Sequence, residues 1–177
     1  MLGASLTTAL AATTCMPESA YNACVASQAT LETTIATLKS QVSEYTIKLK
    51  GDQSDEKSLL ADIKTAETSA KNLNTKIASL NDEVTKLNGE ISNPKTTPEQ
   101  KAKDETTLIE VQAQIATDTD LVAGLNAEVT SYNGQLTPIE ADISTQEAAI
   151  SAANATIATD QAALKALKCV LCAVSPT

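Results

Sequence analysis

The sequence predicts an all-α protein: an elongated antiparallel up-down-up-down four-helix bundle with coiled-coil-like heptad packing. Three observations lead there. Apolar residues recur at alternating three- and four-residue steps, Gly and Pro signals divide them into four segments of similar length, and cysteines sit at both chain ends.

The predicted helices span about 17–50, 54–92, 98–133 and 138–172, within a bundle domain of 17–174. In the first, Tyr21, Cys24, Gln28, Leu31, Ile35, Leu38, Val42, Tyr45 and Leu49 form the seam. Pro17 fits the first helical position, and Lys50-Gly51 offers a terminal glycine cap. The second, capped by Asp52 or Ser54, carries Leu59, Ile63, Ala66, Ala70, Leu73, Ile77, Leu80, Val84, Leu87 and Ile91. It must stop near Asn93 because Pro94 follows.

Thr97-Pro98-Glu99-Gln100 opens the third helix, and Thr137-Pro138-Ile139-Glu140 the fourth. Each supplies an N-cap Thr, Pro at the first helical position and Gln or Glu three residues after the cap. The third seam starts at Leu108, runs through Val111, Ile115 and Asp118 to Tyr132, and ends at Asn133-Gly134. The fourth runs from Ile139 through Gln146, Ala153 and Asp160 to Leu171. Equal hairpins stack in this scheme, so that Leu38, Ala70, Leu125 and Ile150 share a layer, and helices of ~35 residues give a rod of about 50 Å.

Composition narrows the chemistry. The 177 residues carry a net charge of −9 with no His, Trp or Phe, and every cation is Lys. Nucleic acid is not an expected partner, since no basic patch or Arg is available to meet phosphates or bases. The acidic surface allows weak cation binding at most. No stretch approaches the ~20 apolar residues of a transmembrane segment. Residues 1–16 read as an N-terminal arm or a weak signal segment, with Ala9-Leu10-Ala11 as a small-residue cleavage site.

Cys15, Cys24, Cys169 and Cys172 are the disulfide candidates, and their even number at the two ends points to an extracellular or secretory compartment. Closing the bundle brings the ends together, with Cys15 level with Cys172. Cys24 and Cys169 are offset by about 7 Å unless the ends depart from ideal helix. A four-cysteine zinc site is the competing use of these thiols. The Cys169-Val170-Leu171-Cys172 spacing matches a redox motif, but a helix C-terminus opposes thiolate formation.

No catalytic residues are expected. The chain has no His base, no Gly-rich phosphate loop and no partner to activate a Ser or Thr. The polar seam residues Gln28, Asp118, Gln146 and Asp160 break the apolar pattern. They fit alignment of the helices better than ligand binding, with an Asp118–Asp160 carboxylate pair as the sharper alternative. Asn154-Ala155-Thr156 is a glycosylation sequon. Ile47 and Ile109 occupy outward heptad positions and are the lateral contact candidates.

These features lead to the expectation of a non-enzymatic structural or assembly protein without cofactor or metal. It would be a disulfide-clasped rod forming a homo-oligomer or filament, lattice or coat outside the cell or in a secretory granule. The alternative is a secreted monomer that opens its core to bind an apolar ligand or partner helix. Its Ala-rich layers at Ala66, Ala70 and Ala153 leave room for one.

Overall fold

In a computed structural model, which describes residues 15–172, the chain is all-helical among those residues apart from one isolated β-bridge. Two long helices, α1 (Glu18–Ser92) and α2 (Pro98–Ala166), pack against each other. The sequence led us to expect four. The helix ends expected at Lys50-Gly51 and Asn133-Gly134, and the start expected at Pro138, are absent.

Seam phase accounts for the difference. Leu49 leads to Asp52, Glu56 and Leu59 in steps of three, four and three, and Tyr132 leads to Leu136 and Ile139 in steps of four and three. Neither break shifts the heptad, so an uninterrupted helix keeps both halves of each seam on one face. Leu136, in the segment assigned to a turn, is buried. The penalties against continuity are about 1 kcal/mol for Gly51 and about 3 kcal/mol for Pro138, and stopping a helix leaves up to four carbonyls without partners.

The other boundaries follow local chemistry. Pro94 denies Asn93 a helical conformation, and α1 ends one residue earlier. The turn is then closed locally: the Lys95 amide donates to Asn93 Oδ1 (3.0 Å), and Thr96 Oγ1 donates to the Glu90 carbonyl (2.8 Å). At the start of α2, Thr97 Oγ1 accepts from the Gln100 amide at 3.3 Å, which is the expected N-cap. Gln100 does not complete a capping box; its Nε2 donates to Asp104 Oδ1 instead (2.7 Å). α2 stops at Ala166, six residues before the expected 172.

The chain divides into two compact units, Met1–Lys48 with Thr145–Thr177, and Leu49–Ser144. In the first, Cys24, Ile35, Ala153 and Ile157 form the apolar core; in the second, Ile63, Ala66, Ala70, Leu87, Val111 and Leu136. All of these lie on the continuous seams. The many threonines are accommodated by donating their hydroxyls to carbonyls one turn back, as from Thr65 to Ala61 (2.9 Å) and Thr130 to Asn126 (2.9 Å). That satisfies the hydroxyl inside a helix at little benefit to stability.

Candidate functional site

The cysteines form two bridges, Cys15–Cys172 and Cys24–Cys169, with Cα separations of 4.5 and 5.7 Å. Both tie the start of the first unit to its end. The expected axial offset of Cys24 and Cys169 is absorbed because α2 has already stopped. The Leu167 amide makes a last forked contact to Ala163 and Leu164, and the chain then leaves the helix. Leu171 pairs in parallel with Met16; the Met16 amide donates to Val170 (2.7 Å) and the Cys172 amide to Met16 (3.0 Å). With all four sulfurs in disulfides, no thiolate remains for zinc or for redox chemistry between Cys169 and Cys172. The candidate signal segment falls chiefly on 1–14, outside the described residues.

The polar seam residues diverge. Asp118, in the second unit, is 2% exposed. Lys76 Nζ lies 2.9 Å from its Oδ2 and 3.3 Å from its Oδ1, and Gln114 Nε2 donates to Oδ1 at 2.8 Å. The hydrogen bond from Lys76 holds the Asp118 carboxyl below its ordinary value. Burial pushes the other way, while the Gln114 bond and the Lys76 charge add to the lowering. Lys76 is half-exposed and adjoins seam residue Ile77, so it reaches over the seam edge with its stem on protein and its ammonium on Asp118.

Gln146 is also buried, in the first unit. Gln28 is not: it is exposed and donates along its own helix to Glu32 Oε1 (3.0 Å), so its place in the heptad does not make it a core residue. An amide loses less by staying hydrated than by entering an apolar layer unpaired. Asp160 is half-buried and belongs to the first unit, whereas Asp118 belongs to the second and has Lys76 as its ion-pair partner.

Sequence reasoning missed Asp104. It is 5% exposed, accepts from Gln100, and its Oδ2 is buried without a hydrogen-bond partner. The signal was available. Asp104 stands fourteen residues before Asp118 on the same seam, and each follows a Gln by four. Starting the third seam at Leu108 hid it. Among the described residues, no group of three or more His, Cys, Asp or Glu side chains could hold a metal ion.

The outer surface carries the remaining candidates. Ile47 is 70% and Ile109 67% exposed, each on a face turned away from the seam. Around them the seams themselves are incompletely covered: Leu38, Leu73, Leu80, Val122, Leu125 and Ile150 are only half-buried. In the second unit an open groove of about 590 Å³ is lined by Ala70, Ala78, Lys71, Asn74 and Asn126, among others. The sequon residues Asn154 and Thr156 are exposed on α2. No described helix is long and apolar enough to cross a membrane. Compared with models of protein families, with curated proteins and with solved structures, the chain matches none.

Proposed function

We propose that the protein is a non-enzymatic structural element, a disulfide-stapled pair of helices that associates with copies of itself into a filament, lattice or coat. The observation that carries this reading is the incompletely covered seam. Large aliphatic residues such as Leu38, Leu80, Leu125 and Ile150 stay only partly buried where α1 and α2 meet, and Ile47 and Ile109 stand exposed on the outer faces. Association that covers them gains about 25 cal/mol for each Å² of apolar surface removed from water. The four-layer packing read from the heptads, with Leu38, Ala70, Leu125 and Ile150 in one layer, is the proposed geometry of that association, since alanine on one helix leaves space for leucine or isoleucine from another.

Two disulfides fit an oxidising extracellular or secretory compartment. The alternative is a monomer that holds an apolar ligand or partner helix in the Ala70–Ala78 groove. Particle size under non-reducing conditions separates the two. Ordered arrays or concentration-dependent oligomers support assembly. A concentration-independent particle of 18.4 kDa that takes up lipid overturns it.

A further inference from the structure

Within the unit Leu49–Ser144, two short helical stretches each combine features that oppose helix formation, in addition to the isolated helical glycines Gly89 and Gly124. On α1, Gly51 follows Lys50, and the next two seam positions are the carboxylates Asp52 and Glu56. Glycine in a helix interior costs more backbone entropy than any other residue. Acidic side chains on the seam add no apolar burial. No residue of α1 from 36 to 62 is fully buried; Leu49, Asp52, Glu56 and Leu59 are all half-covered.

On α2, Pro138 lies inside the helix. It has no amide hydrogen, so the carbonyl of the exposed Gly134 loses its helical partner. Of the seam residues here only Leu136 is buried, while Ile139 and Ile143 are half-covered.

We infer that these stretches form a hinge, in which 49–59 of α1 and 133–143 of α2 open while the helix flanking them in the same unit stays closed. Opening free energy follows local burial and the number of intact backbone bonds: no residue of 49–59 is fully buried, whereas Ile63, Ala66 and Ala70 beside it are, and Pro138 removes a backbone bond from 133–143. The flanking seam holds Ile63, Ala66, Ala70 and Val111 in its core, with the Lys76–Asp118 pair beyond. The inference does not depend on self-assembly: it concerns one chain, and a monomer would show it.

Hydrogen exchange read by mass spectrometry on the oxidised full chain tests it. The expected result is exchange at least about tenfold faster in peptides from 49–59 and 133–143 than in peptides from 63–73 and 111–122. A Gly51→Ala, Pro138→Ala double variant, which favours helix and so folds, is expected to slow exchange in both stretches by about tenfold or more and leave the flanks unchanged. Equal protection of the stretches and their flanks in the unaltered protein overturns the hinge. So does fast exchange that persists undiminished in the double variant.

Discussion

A carboxylate on a packing seam forfeits hydration unless something replaces it, and at Asp118 the replacement comes from Lys76 and Gln114. Because the folded pKa lies below the ordinary 3.8, the ionised form stabilises the fold at pH values above 3.8. That contribution is lost as pH falls below 3.8 through the folded value. Melting temperature plotted against pH is therefore expected to fall on the acid side, and Asp118→Asn should flatten that limb while lowering stability at neutral pH. Lys76→Ala should destabilise by stranding a buried charge. The double change Lys76→Ala, Asp118→Leu should recover that loss, because an apolar seam residue needs no partner; a double variant no more stable than Lys76→Ala would contradict this. Asp118 was legible in the sequence as a break in the heptad, but its partner was not. Lys76 is one of several lysines beside the seam, and only the register of α1 against α2 selects it. The error at Gln28 has the same origin, since a heptad position states which face a residue is on and not how far the partner helix covers it.

At the level of elements, terminal signals and interior signals behaved differently. Thr97-Pro98 and Pro94 mark real boundaries because each lies where the seam also stops, so propensity and packing agree. Gly51 and Pro138 lie where the seam continues in phase, and packing overrides them. Pro138→Ala is then expected to raise stability by up to about 3 kcal/mol in denaturant unfolding. If Pro138 instead began a helix, the same change would be neutral or destabilising. Leu87→Ala, which empties a buried seam position near the turn, should cost about 2–5 kcal/mol by the same measurement. Phase permits this continuity without requiring it: Leu49 and Ile63 are two whole heptads apart, as are Tyr132 and Gln146.

For the whole molecule, the two disulfides are the covalent constraints on the chain, and Cys24 also belongs to the core. Cys15–Cys172 closes a separation of 157 residues, and a loop of that size is worth about 5 kcal/mol in the chain-entropy account. With it in place, Cys24–Cys169 closes only a small additional ring, worth about 3 kcal/mol. Replacing Cys24 and Cys169 by Ser should therefore cost about 3 kcal/mol, and full reduction distinctly more; equal losses would show that the bridges do not act as nested loops. Heptad spacing, backbone sterics and residue counts are local or additive, so the helical class, the seam residues, the cap at Thr97, the stop before Pro94 and the meeting of the cysteine-bearing ends were legible from the residues. The tertiary structure decided the number of helices, since about 4 kcal/mol of local penalty at Gly51 and Pro138 competes with burial that no single segment carries. It also decided that Cys169 reaches Cys24. That contact requires α2 to end at Ala166, where no glycine or proline marks the stop and the chain is drawn from the helix by the pairing of Met16 with Leu171 and by the bridges at Cys169 and Cys172.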